Sequence, residues 1–282
     1  MTGEIKTMKM LKALRIAGVL VLVSAGAGMA QEELQRTAKG ISYSFEGAFG
    51  TFDKGQLQRG YKVYKEVCSN CHSMKLVAFR NLSEAGGPGF TDAQVKALAA
   101  TFTVQDGPDD SGNMYQRPGL PSDHFPSPFA NEQAARAANG GALPPDFSLI
   151  TKARAGWHGT FNQFLNGIGG PQYVYSVVTG FEQTPPDLAK EQPSGKYYNP
   201  YFAASHWIGM PPPLSDGQVQ FDDGSPNKVD DMARDVSAFL AWAADPKMEE
   251  RKGTGFTVMI YLAVLCVLFY LVKQKVWTKV EH

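Results

Sequence analysis

Two cysteines separated by two residues and followed at once by a histidine stand at Cys68-Ser69-Asn70-Cys71-His72. Thiols at this spacing suit disulfide exchange, zinc binding, a local disulfide or covalent haem attachment. An exchange pair of thioredoxin type sits in a βαβ pattern, which the flanking sequence lacks. A zinc site needs a second close pair of ligands, and the chain has no other close Cys/His pair. A disulfide between these two cysteines would close a very small, strained loop. Haem attachment meets no such objection. Two thiols at this spacing reach the two vinyl groups of one porphyrin, and the next histidine then lies beneath the iron. Cys266, the third cysteine, sits in an apolar run and reads as a small apolar residue, so no disulfide is expected.

With His72 as the proximal ligand, the opposite face of the iron decides what the site does. Methionine there gives a carrier of high potential, histidine one of lower potential, and an open position a reactive site. Met210 stands out by its setting, Trp207-Ile208-Gly209-Met210-Pro211-Pro212-Pro213-Leu214. Glycine before it permits close backbone approach, and the prolines after it keep the loop stiffly out of helix. His206 is the rival ligand. His124 lies in a turn-like Ser-Asp-His-Phe-Pro stretch and reads as surface, His158 has no ligand-like context, and His282 is the last residue.

These residues need helices to position them. Asp53 can cap a helix toward Val67, on which Leu57, Tyr61, Tyr64 and Cys68 recur at helical spacing. Thr91 or Asp92 starts another, with Val95, Leu98, Ala99 and Phe102 on one face, and Asn131 opens an alanine-rich helix that stops at Asn139-Gly140-Gly141. Phe147 to Arg154 and Tyr173 to Thr179 are shorter candidates. Asn227 can cap a helix whose Met232, Val236, Phe239, Leu240 and Ala243 form an apolar stripe, ended by Asp245-Pro246. Lys247 to Gly253 then reads as a short charged linker. Strand signals are sparse, and 29 glycines and 18 prolines predict long loops between helices. The expected fold class is mainly α, a c-type cytochrome domain with long loops plus one C-terminal transmembrane helix.

The two ends differ from the middle. Lys6, Lys9, Lys12 and Arg15 precede or open an apolar run, Ile16–Val23, and small residues follow up to Ala30. That pattern predicts a signal peptide over 1–30, with Met8 or Met10 as possible initiators. Phe256 to Val272 is an unbroken run without a charge, predicting a membrane anchor over 254–273. Lys273, Lys275 and Lys279 beyond it place the 274–282 tail in the cytoplasm, so the domain over 31–253 faces the outside. Outside the first thirty residues and the segment from Thr254 onward, 20 basic and 25 acidic residues remain, a formal charge of −5. Such a balance argues against nucleic acid and for a basic protein partner. Asp106, Asp109, Asp110, Asp123, Asp222 and Asp223 are candidates to steer it.

Several stretches together resemble the cytochrome c1 family. They are Tyr64 to Met74, Val104-Gln105-Asp106-Gly107-Pro108, Arg117-Pro118-Gly119, and Ala134 through Ala142-Leu143-Pro144-Pro145-Asp146. Asn199-Pro200-Tyr201-Phe202, Ile208-Gly209-Met210-Pro211 and Phe221 to Pro226 complete the set. The resemblance runs from about Tyr43 to the C-terminus. It implies one haem c, covalent through Cys68 and Cys71, with His72 and Met210 as iron ligands. It implies that Asn139, Ala142, Pro144, Pro145, Ile150, Phe202 and Pro213 line the haem, and that Arg154 and Tyr173 meet a propionate. The implied role is one-electron transfer from a Rieske iron–sulfur protein to a soluble basic cytochrome c. The implied setting is a dimeric quinol-oxidising complex with cytochrome b, in the inner membrane with the haem domain in the periplasm. Such a subunit has no bond chemistry of its own. An independent membrane-tethered shuttle, or a haem enzyme or sensor with an open iron, are the other readings. The chain departs from the family in a small insertion over Gln163 to Gln172, and in lacking a cysteine pair that braces this region in some bacterial relatives.

Overall fold

The computed structural model describes residues 36–156, 165 and 167–278, so the expected signal peptide, His158 and His282 lie outside the described residues. The chain divides into two compact units. The smaller holds 36–38 and 180–211, and the larger holds 39–179 and 212–278.

The larger unit is helical. Among the described residues its α-helices are α1 (Lys54–Glu66), α2 (Asp92–Ala99), α3 (Glu132–Ala138), α4 (Ile150–Ala153), α5 (Gly170–Thr179), α6 (Val229–Ala244) and α7 (Met248–Trp277). One two-stranded antiparallel ribbon, β1 (Thr103–Asp106) with β2 (Tyr115–Pro118), pairs Thr103 with Pro118 and Asp106 with Tyr115. The start signals act as their chemistry dictates. The side chains of Asp53, Thr91 and Asn131 accept N–H groups from Gln56, Gln94 and Ala134. Thr91 and Gln94 bond reciprocally as a capping box.

The core is built on α1 against α6. Leu57, Val63 and Tyr64 of α1 meet Met232, Val236, Phe239 and Trp242 of α6, with Phe79, Leu82, Val95 and Phe125 closing the cluster. Helices α4 and α5 pack on α6 and on each other. An ion pair between half-buried Arg59 and buried Asp235 crosses the main contact. Arg59 Nε donates to Asp235 Oδ2 at 2.7 Å, and Gln56 Nε2 donates to the same carboxylate at 3.1 Å. Burial still pushes the Asp235 carboxyl above its usual range, against these bonds.

Three local expectations are corrected. Asn227 does not cap α6; its Nδ2 donates to the Val219 carbonyl at 3.0 Å, and Asp216 Oδ1, thirteen residues before Val229, takes the Val229 N–H at 2.8 Å. The helix expected over Phe147 to Arg154 is confined to Ile150–Ala153, because Phe147 and Ser148 are committed to bonds with Ser73 and Asp146. The Lys247 to Gly253 linker is almost wholly the first turns of α7, with Glu249 and Glu250 favourably placed at a helix N-terminus.

Helix α7 runs 30 residues, about 45 Å at 1.5 Å per residue, enough to cross roughly 30 Å of hydrocarbon. Among the described residues it is the one helix long and apolar enough to do so, and none of its apolar window is buried.

The smaller unit is irregular, with a short ribbon of β3 (Tyr197–Tyr198) and β4 (Trp207–Ile208). The ribbon is extended by an Asn199 N–H bond to the His206 carbonyl at 2.8 Å, and the Asn199 side chain is fully buried.

Candidate haem-binding site

Helix α1 ends where the chemistry begins. Its last carbonyls would be orphaned at a free helix end. Here the two residues between the cysteines satisfy them: Ser69 Oγ donates to Lys65 O at 2.7 Å, and Asn70 Nδ2 to Glu66 O and Val67 O at 3.2 Å each. The Cys71 and His72 N–H groups fold back on the Cys68 carbonyl at 3.1 and 2.9 Å. The turn therefore brings both thiols and the imidazole together at the end of a packed helix. Both thiols are free, Cys68 half-buried and Cys71 exposed. Burial, with the neighbouring Cys71, pushes the Cys68 thiol up to about 12. A redox-active pair needs the opposite shift, toward thiolate.

The His72 ring is buried, and its Nδ1 lies 2.9 Å from the Pro145 carbonyl oxygen. A carbonyl only accepts, so Nδ1 carries the proton and Nε2 presents its lone pair. Burial lowers the affinity of the ring for a second proton, against the Pro145 bond and Asp146, and keeps it neutral. A neutral imidazole anchored through Nδ1–H is what an iron ligand requires. Phe147 stacks on the ring at 3.9 Å between centroids and 15° between planes. Tyr64 Oη donates to the His72 carbonyl at 3.3 Å.

One carboxylate holds this arrangement together. Asp146 accepts from Ser73 Oγ at 2.7 Å, Lys75 N–H at 3.0 Å and Ser148 N–H at 2.8 Å. The Phe147 N–H adds a bond to Ser73 O at 2.7 Å. The segment carrying the Pro145 carbonyl is thus tied to the residues just after His72. Burial opposes ionisation of Asp146, but these bonds outweigh it and hold the carboxyl below its ordinary range. Such a group stabilises the fold above the unfolded value, about 3.9, and the gain is lost as pH falls through the depressed folded value. Asp146→Asn should therefore lower stability at pH 7 by about 1.5–3 kcal/mol, the range for bonds to a charged acceptor. Its deficit against the parent should shrink below about pH 4. Chemical denaturation at pH 7 and pH 3 checks this. Equal loss at both values would remove the charge from the explanation.

The other sequence-predicted residues are distributed as follows. Asn139 turns its Nδ2 back to the Ala135 carbonyl at 2.7 Å, at the end of α3. Ala142, Pro144 and Pro213 are half-buried, Pro145 is exposed, and Ile150 is part of the core. Arg154 is exposed at the end of α4, and Tyr173, half-buried, packs against the core from α5. Phe202 and Met210 belong to the smaller unit, each half-buried, and are described there alone. In that unit His206 lies 4.7 Å from Trp207 between ring centroids, with its Nε2 buried and without a hydrogen-bond partner among the described residues. His124 is exposed.

Sequence reasoning missed the work of Asp146, Ser73 and Phe147. The Asp146-x-Ser148 spacing was the one signal for the first, since aspartate commonly accepts the N–H two residues on. The acidic candidates for steering also change. Arg117 lies between two of them, bonding Asp106 through Nε and Asp123 through Nη1 at 2.6 Å, and depresses both carboxyls. Asp222 pairs with Lys62 and Asp223 with Arg59, each at 3.2 Å. Asp109 and Asp110 have no ion pair among the described residues, and both are exposed.

The donor set of the Cys68–His72 turn fits a covalently held haem: two free thiols and a neutral imidazole with its outer nitrogen available. A family-wide sequence model described as the Cytochrome C1 family matches residues 43–280. The chain is 43% identical to cytochrome c1 of Rhodospirillum rubrum, covering 95% of this chain and 97% of that protein. It is 45% identical to cytochrome c1 of Cereibacter sphaeroides, over 94% and 95%. It is 52% identical to cytochrome b/c1 of Bradyrhizobium diazoefficiens over 94% of this chain, spanning 39% of that longer protein.

Proposed function

Because the chain belongs to the cytochrome c1 family, we propose that it carries one covalent haem c and relays single electrons within a quinol–cytochrome c oxidoreductase complex. The observation that carries the reading is the His72 Nδ1–H bond to Pro145 beside two free thiols. Cys68 and Cys71 would hold the porphyrin, and His72 and Met210 would ligate the iron. Haem supplies a one-electron couple when bound. The chain's own residues keep that couple in place and tune it, with the His72 ring pinned by the Pro145 carbonyl and Phe147 so that little moves between redox states. Asn139, Ala142, Pro144, Pro145, Ile150, Phe202 and Pro213 line the haem, and Arg154 and Tyr173 meet a propionate. One electron enters from a Rieske iron–sulfur protein and one leaves to a soluble cytochrome c, with no bond made or broken. The domain faces the periplasm, α7 crosses the inner membrane beside cytochrome b, and the complex is dimeric.

A redox titration of the visible spectrum tests the ligation. A high midpoint potential with the iron–thioether absorption present in the oxidised form is expected. A low potential without that band would move the distal ligand to His206 or leave the site open; the buried His206 Nε2, without a hydrogen-bond partner among the described residues, makes it the specific alternative ligand.

Steering of a basic acceptor should rest on Asp109 and Asp110 rather than on the carboxylates that face arginine or lysine. Reduction of the acceptor is expected to slow with salt, and the double substitution Asp109→Asn and Asp110→Asn to flatten that dependence. An unchanged slope would assign the steering elsewhere.

A further inference from the structure

The loop preceding α1 is strapped to the start of α7. Lys252 Nζ donates to the Phe45 carbonyl at 2.6 Å and to the Gly50 carbonyl at 3.0 Å. Glu249 Oε1 accepts the Phe52 N–H at 2.7 Å. Phe45 and Phe52 turn inward, buried with their ring centroids 4.8 Å apart. Phe49 turns the other way and is 75% exposed. It is not isolated, for its ring meets Phe256 edge-on at 5.4 Å and 76°. Phe256 is the first large apolar residue of the uncharged run on α7, one helical turn beyond Lys252. The tip around Phe49, Gly47-Ala48-Phe49-Gly50, carries no charge. Two of the loop's carbonyls are occupied by the Lys252 ammonium, which lowers the cost of placing this backbone in a less polar medium.

The geometry points to the Phe49 loop as a second membrane contact, an aromatic wedge seated in the headgroup–acyl boundary beside the point where α7 enters the bilayer. The inference rests on reading α7 as membrane-spanning. Its occupant is lipid, because Phe49 is continuous with the face of a helix whose apolar window is wholly exposed, and because a large apolar side chain beside the entry point gains by burial in the headgroup–acyl boundary. The wedge would give the domain a second point of contact with the membrane, beside the helix to which Lys252 and Glu249 strap it.

The test uses the full-length haem-loaded chain in phosphatidylcholine–phosphatidylglycerol vesicles. A Cys266→Ala background leaves no free thiol once haem has taken Cys68 and Cys71. Nitroxide labels at Phe49→Cys, Val264→Cys and Asp110→Cys are compared for collision with oxygen, which partitions into lipid, and with a water-soluble nickel chelate. The oxygen-to-nickel ratio at position 49 is expected to be about threefold or more above that at 110, and below that at 264. A ratio at 49 equal to that at 110, with 264 reading as lipid, would put the loop in water and overturn the inference. Exclusion of both reagents at 49 would mean that protein covers it, and would overturn the lipid assignment. A water-like ratio at 264 would instead remove the spanning reading on which the wedge depends.

Discussion

Alanine at position 60 should cost the larger unit about 3 kcal/mol, the upper end for overpacking a tight core, and lower its unfolding midpoint by roughly 6–12 °C. Gly60 sits on the buried face of α1, against α6. A Cβ built there collides with the Asp235 carbonyl oxygen and comes within 2.7 Å of both the Asp235 carbonyl carbon and the Phe239 Cβ. Neither helix can yield locally. The α6 backbone is fixed by its own hydrogen bonds, and Arg59, the residue before Gly60, is engaged with Asp235. The helices must therefore separate along the whole contact, loosening Phe239 and Trp242. Because α1 leads into the Cys68–His72 turn, the separation should also shift the midpoint potential. Gly40→Ala, at an exposed site with nothing within 4 Å of the added carbon, is the control. Thermal unfolding of the two variants decides the matter. A Gly60→Ala midpoint within a degree or so of the parent would show that the close approach is dispensable.

Leucine at Met210 is expected to abolish the iron–thioether absorption and to lower the midpoint potential by roughly a tenth of a volt or more, within the ~0.8 V that axial ligands command. Leucine keeps the apolar volume but offers no lone pair, so the loop can stay folded while the ligand is lost. The loop has its own support in the smaller unit: the β3–β4 ribbon, the buried Asn199, and the bond from Asn199 N–H to the His206 carbonyl. A second variant, carrying Met210→Leu with His206→Leu, reports whether the nearby imidazole replaces the thioether. A spectrum and potential unchanged by Met210→Leu would reject Met210 as ligand and with it the His/Met proposal.

Several features were decided by the sequence alone, because they depend on neighbours a few residues away. The Cys68–His72 turn is one, since the chemistry is carried by spacing within five residues. The starts at Asp53, Thr91 and Asn131 are others, each satisfied by an N–H three residues on. The long apolar stretch of α7 and the mainly helical class follow from runs and periods of the same local kind.

What the sequence left open were the partners that the chain brings from a distance. Asn227 offered a good cap by type, yet Asp216 was the group that folding placed on the Val229 N–H. Asp106, Asp123, Asp222 and Asp223 counted equally as negative charge until Arg117, Lys62 and Arg59 were brought against them. The Pro145 carbonyl reaches His72 across 73 residues, and the tautomer that leaves the His72 Nε2 lone pair free depends on it. Lys252 finds the loop around Phe49 across some 200 residues. Local pattern fixes which groups need a hydrogen-bond or charge partner. Only the packed chain determines which group, among many of equal chemistry, arrives within 3 Å to provide it.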